Sequence, residues 1–138
     1  MTKKHLKQKI HIMNDEYIYK ELTYEIIGKC MKVHNELGFG FLEIVYKDAL
    51  EYEFNKSGIQ YEREKKYEVN YDGIILPHKF YADFVVFDKI ILEVKALQKG
   101  YSDEHIAMCI NYLKVSGNKL ALLVNFGKMR LQTKRIIF

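Results

Sequence analysis

From Leu22 onward apolar residues recur at helical intervals, at Leu22, Ile26, Cys30, Val33 and Leu37, and Glu25 and Lys29 stand as an i,i+4 ion pair. The spacing predicts a helix over 20–37, with Gly38 as a left-handed stop. After Gly38-Phe39-Gly40, a second stripe of Leu42, Tyr46, Ala49, Leu50 and Phe54 predicts another helix, closed by Ser57 and Gly58. Residues 59–71, IQYEREKKYEVNY, are rich in tyrosine and charge and alternate only in part. They read as a long, half-exposed strand, which Asp72-Gly73 turns into a short one at Ile74-Ile75-Leu76. The strongest hairpin signal follows at 79–97, KFYADFVVFDKIILEVKAL, two apolar runs pivoting at Asp88 and Lys89. Ser102 and Asp103 can cap a third helix, whose stripe is Ile106, Cys109, Ile110 and Leu113 and whose end is Gly117. KLALLVNF at 119–126 reads as a buried strand and RIIF at 135–138 as the last one. The order is helix, helix, three or four antiparallel strands, helix, strand, strand: an α/β domain with a mixed sheet, without repeats or low-complexity linkers.

Within the hairpin, Glu93 and Lys95 interrupt the otherwise apolar IILEVKAL. Ions taken out of water cost several kcal/mol each unless paired or holding a ligand, so the placement needs a reason. Alternation sets Glu93 and Lys95 on one face with Ile91, opposite Ile90, Leu92, Val94 and Ala96; on the preceding strand Asp83 shares a face with Val85 and Phe87. The turn decides whether these faces coincide. A two-residue loop at Asp88-Lys89 pairs Asp83 with Val94 and separates the charges. A three-residue loop at 88–90, or a bulge, pairs Asp83 with Lys95 and Val85 with Glu93 and gathers them. One reading is an amphipathic hairpin with ordinary cross-strand ion pairs, although Val85, Phe87 and Ile91 would share its solvent face. The other is a site: two converging carboxylates suit a hard divalent ion such as Mg²⁺, and a nearby ammonium can polarise water or offset charge on a phosphate.

Composition narrows the setting. The chain's 138 residues suit one domain with a real core, and with 49% hydrophobic and 29% charged residues and a single proline, Pro77, it is of ordinary globular type. No run approaches the ~18 apolar residues of a membrane span and none follows the basic N-terminus as a signal peptide, so a cytoplasmic address is expected. Cys30 and Cys109 lack metal-ligand spacing and read as small buried hydrophobes. The net charge of +4 resides in Lys3, Lys4, Lys7 and Lys9, which leaves 18 basic against 18 acidic residues in the remainder. That remainder, which includes Asp15 and Glu16, is formally neutral; a basic extension over 1–19 precedes a single domain over 20–138, and such a tail can grip phosphates by counterion release or simply be solvated, the second being preferred.

Asp83 followed, after nine intervening residues, by Glu93-Val94-Lys95 resembles the D-xn-(D/E)-x-K signature of the PD-(D/E)XK nuclease superfamily, and GFLEIVY at 40–46 resembles the G-x-x-E-x-x-Y element of its GxxExxY family. The LGFG lead-in at 37–40, NYLK in the third helix and LLVNFG near the end extend the resemblance over about 22–138. It implies a restriction-endonuclease-like αβββαβ core, a mixed sheet flanked by helices. It also implies that Asp83, Glu93 and the Val94 carbonyl hold Mg²⁺ or Mn²⁺, that Lys95 acts on the attacking water, and that Glu43 is an accessory acid, with Tyr46 one turn along on the same side. Without the family element, Glu43 reads as a helix-start acid paired with Lys47, and Tyr46 as a core or cleft-wall aromatic. Three positions depart from the family. Met108 stands where a Gln usually precedes the third-helix tyrosine, here Tyr112; Tyr81 stands where many relatives carry Arg; Ala82 replaces the Pro of the name, a common variation. His105, one turn before Met108, is a cleft substitute for the lost amide or a surface and packing residue. The expected function is a metal-dependent nuclease acting on DNA more than RNA, the alternative a nuclease-fold module that binds nucleic acid or regulates without cutting. A homodimer is expected, since so small a chain offers little surface to hold a duplex.

Overall fold

The structure is a computed structural model that describes residues 18–138. The lysines of the basic extension, Lys3, Lys4, Lys7 and Lys9, lie outside the described residues. Helices α1 (Lys20–Leu37) and α2 (Glu43–Lys56) precede strands β1 (Tyr61–Tyr71), β2 (Ile74–Val86) and β3 (Ile90–Lys95). Helix α3 (Asp103–Ser116), β4 (Leu120–Asn125) and β5 (Gln132–Ile137) complete the chain. The sheet order is β1-β2-β3-β4-β5. The first three strands form an antiparallel meander, β3 and β4 run parallel with α3 as crossover, and β5 returns antiparallel to β4.

Both faces of the sheet are covered, which accounts for the unbroken apolar run of β4, buried at every position. On one face Ile26, Cys30 and Val33 of α1 and Tyr46, Leu50 and Phe54 of α2 pack on Phe84, Leu92, Leu122 and Val124. On the other, Cys109 and Leu113 of α3 meet Ala82, Val85, Ile91 and Leu123. The alternation expected along β3 holds, with Ile90, Leu92 and Val94 on the first face and Ile91 on the second.

Two expectations are corrected. The short strand at 74–76 does not end there: β2 continues through Pro77 to Val86. Between the rungs Glu68↔Lys79 and Asn70↔Ile75 it carries two more residues than β1, and this bulge accommodates a proline that has no N–H to give a ladder. The hairpin register is neither of the two expected. Its loop is Phe87-Asp88-Lys89, with Phe87 and Asp88 at φ 57° and 59°, closed by Lys89 N–H donating to the Val86 carbonyl at 3.1 Å. Val86 therefore pairs with Ile90, Val85 with Ile91 and Phe84 with Leu92, a register whose continuation puts Asp83 across from Glu93.

Candidate active site

The antiparallel ladder between β2 and β3 comprises three backbone pairs and stops at Phe84↔Leu92. Beyond it, side chains replace backbone pairing. The Asp83 N–H donates to Glu93 Oε1 at 3.0 Å, and the Val94 N–H donates to Asp83 Oδ2 at 2.8 Å. Each carboxylate thus satisfies an amide of the opposite strand, which fixes both side chains where the strands part. A second irregularity lies at the same level. The β1–β2 register is identical on either side of Glu64 and Asp83, with Arg63↔Phe84 and Lys65↔Ala82, yet the rung between them is missing and Glu64 has φ 55°. Phe84 packs toward α1 and α2 while Ala82 packs toward α3, so the alternation of β2 reverses across Asp83.

Helix α2 brings Glu43 and, one turn on, Lys47 to this level. Lys95 Nζ lies 4.0 Å from Glu43 Oε1, and Lys47 Nζ donates to Asp83 Oδ1 at 3.0 Å and to Glu64 Oε1. Four carboxylates and two ammoniums therefore meet at one end of the β2–β3 pair. Asp83, Glu93 and Lys47 are buried, while Glu43 and Lys95 reach toward solvent. Burial, then the neighbouring Asp83, holds the Glu93 carboxyl well above the usual carboxylate range, against the Asp83 amide and Lys95, which lower it. Glu43 is also shifted up, first by its partial burial. For Lys47, burial acts downward but its bonds to Glu64 and Asp83 outweigh it, and the ammonium form is favoured.

The strand carrying Lys95 is fixed from its far side. The Phe126 N–H donates to the Lys95 carbonyl at 2.8 Å; Asn125, fully buried, accepts from Leu97 N–H at 2.7 Å and donates to the Leu97 carbonyl at 2.9 Å. Tyr46 has no exposed surface. It stacks on Phe126 at 4.7 Å, donates to the Gly38 carbonyl and accepts from Phe41 N–H, so it shapes the 38–42 loop that launches Glu43 and does not line the cleft. Tyr112 donates to the Tyr81 carbonyl at 2.9 Å and ties α3 to β2. His105 Nδ1 accepts from Ser102 N–H at 2.9 Å, which stabilises the start of α3. The same His105 lines a cavity of about 170 Å³ with Glu93, Lys95 and Met108. Met108 thus lies on the cavity wall.

Sequence reasoning brought Glu43, Asp83, Glu93 and Lys95 to one place; it missed Lys47 as a partner of Asp83, and missed Glu64. Lys47 sits four residues after Glu43, a spacing that in sequence points only to a pair with that helix-start acid. In donor chemistry the residues fit a hard divalent cation: two buried carboxylates face one another, one of them strained as an anion by the other. Among the described residues no group of three or more His, Cys, Asp or Glu is already gathered around a cation position, and Lys47 occupies one Asp83 oxygen.

A family model of the PD-(D/E)XK nuclease superfamily matches residues 20–136, nearly the whole described chain. The chain belongs to that superfamily. Asp83, Glu93 and Lys95, the residues whose spacing resembles the signature in its name, stand where the β2–β3 ladder ends. Comparison with curated proteins gives no significant match. Among solved structures, the crystal structure of SSO0001 superposes with a TM-score of 0.56 at 22% identity over 69% of this chain, a likeness of fold. This chain spans 50% of the length of that one. Like its superfamily, the chain is an α/β protein with a mixed five-stranded sheet flanked by helices, and none of its described helices is long and apolar enough to cross a membrane.

Proposed function

We propose that this PD-(D/E)XK protein, of the GxxExxY type, is a Mg²⁺- or Mn²⁺-dependent nuclease that hydrolyses phosphodiester bonds in DNA in preference to RNA. The observation that carries this reading is the reciprocal bracing of Asp83 and Glu93 beside Lys95. Both acids are held by backbone amides with their charge turned toward one another, an arrangement of little use to stability and of direct use to a cation. Asp83, Glu93 and the Val94 carbonyl would hold the ion. When bound, the cation supplies positive charge to the phosphate and acidifies water. Lys95, partly open to solvent and steadied by Glu43, orients the attacking water and offsets charge on the phosphate. Met108 and His105 border the space in which substrate would lie. A cytoplasmic setting accords with Cys30 and Cys109, which are free and buried in different cores.

Glu93→Gln keeps the shape of the side chain and removes its charge. Incubated with single- and double-stranded DNA and RNA under Mn²⁺, the wild type is expected to cleave, and the variant to lose about 10³-fold in rate, with Lys95→Ala losing about 10²-fold or more. A second reading is favoured by the apolar Met108 on the cavity wall: a module that binds nucleic acid without cutting it. Wild type that binds every substrate and cleaves none, whatever the divalent ion, would select this second reading.

A further inference from the structure

Lys47 is unlike the other lysines of the described chain. It is 7% exposed, projects from α2 into the junction of β1 and β2, and reaches two carboxylates at once, Asp83 Oδ1 at 3.0 Å and Glu64 Oε1. Asp83 has its second oxygen on the Val94 N–H, so Lys47 completes its shell. Glu64 is available to Lys47 only because β1 breaks at that residue, with a positive φ on a side chain that has a Cβ and no rung to Asp83. Non-glycine residues hold such a conformation only at an energetic cost, and they concentrate at functional sites. The two partners differ in setting: the Asp83 side chain is 11% exposed and that of Glu64 48%.

We propose that Lys47 is the resident counter-ion of the Asp83–Glu93 pair, an internal cation that a divalent ion displaces from Asp83 while Glu64 retains it. The proposal rests on the metal-dependent reading of the site. Without a cation, the buried Asp83 carboxylate faces Glu93 and needs a positive partner, which Lys47 provides. A divalent ion on the same carboxylate repels the ammonium. Glu64, already bonded to Nζ and closer to water, keeps Lys47 paired when that contact is lost, so that the charge is not stranded in the interior. Lys47 is thus a positioning residue whose departure is part of cation entry, and Glu64 is its second seat. The arrangement keeps the site ordered and its buried Asp83 paired at low cation concentration, and makes occupancy depend on competition.

The test is the affinity for Mn²⁺ itself, followed by the electron paramagnetic resonance of the free ion, together with thermal unfolding in chelator. Lys47→Met, close in length and uncharged, is expected to bind Mn²⁺ roughly ten-fold more tightly than wild type, and to unfold at lower temperature without metal. Lys47→Gln, which can still hydrogen-bond Asp83, serves where the Met variant folds poorly and is expected to shift affinity the same way. Glu64→Gln is expected to weaken Mn²⁺ binding when Lys47 is present, by trapping it on Asp83, and to have no effect in the Lys47→Met background. Unchanged or weaker binding by both Lys47 variants overturns the proposal, as does a Glu64→Gln effect of equal size in both backgrounds, which would make Glu64 a plain electrostatic contributor. If wild type and the Lys47 variants all fail to bind Mn²⁺ at millimolar concentration, the metal reading falls, and this proposal with it.

Discussion

At the scale of single residues, four carboxylates share two ammoniums, and Glu93 is the acid held furthest above its usual range. Its native pKa is raised by burial and by Asp83, above the about 4.3 of an unfolded glutamate. The native state therefore keeps the proton where the unfolded chain has released it. That contribution to stability is full below the unfolded value and disappears as pH climbs through the native one. The metal-free protein should lose stability relative to Glu93→Gln as pH is raised from the acid side of 4 toward neutrality, measured as the difference between their urea midpoints. Parallel curves would show that Glu93 is not the strained group. The acids and Lys95 were legible in the sequence because their spacing is itself a motif. Lys47 was not: a lysine four residues after a glutamate on a helix is the commonest of surface pairs. Its burial follows from a break in β1 that nothing around Glu64 announces.

At the scale of elements, what matters is how strands are pinned. The helices were legible to within a residue or two, since their stripes are regular and Gly38, Ser57 and Gly117 punctuate them. The hairpin was not, because its loop places Phe87 in the left-handed region, a conformation that aromatic side chains seldom adopt and that no local signal foretells. Its consequence is large, since a different loop gives a different rung at Asp83. On the other side of β3, Gly127 passes against the backbone of Ala96 and Leu97 so closely that an added Cβ would lie well under 3.0 Å from main-chain atoms of both. Its φ is unremarkable, so the requirement is one of space alone. Gly127→Ala is expected to cost roughly 2–4 kcal/mol in chemical denaturation and, by shifting the segment after Lys95, to reduce cleavage in whatever fraction still folds.

For the molecule as a whole, two cores on opposite faces of one sheet share the same central strands, and β3 and β4 belong to both. Each core contains one thiol, Cys30 in one and Cys109 in the other, both pushed up to about 12 chiefly by burial. Neither should react with an aromatic disulfide reagent at pH 8 in the native state, and both should become reactive in a single step with the same denaturant midpoint. Two separate midpoints would mean that the faces melt independently. The α/β class followed from the order of patterns, whereas the pairing of faces is a long-range property to which no short window has access. The break at Glu64 has one more effect, on company rather than chemistry. Among the described residues β1 is an outer strand, long and with no strand beside it on one side, the kind of border on which foreign strands can grow. A left-handed residue in its middle, set among Glu62, Arg63, Lys65 and Lys66, spoils the straight run of amides and carbonyls that such growth would copy. The kink that gives Lys47 a second seat also keeps the sheet from extending into its neighbours.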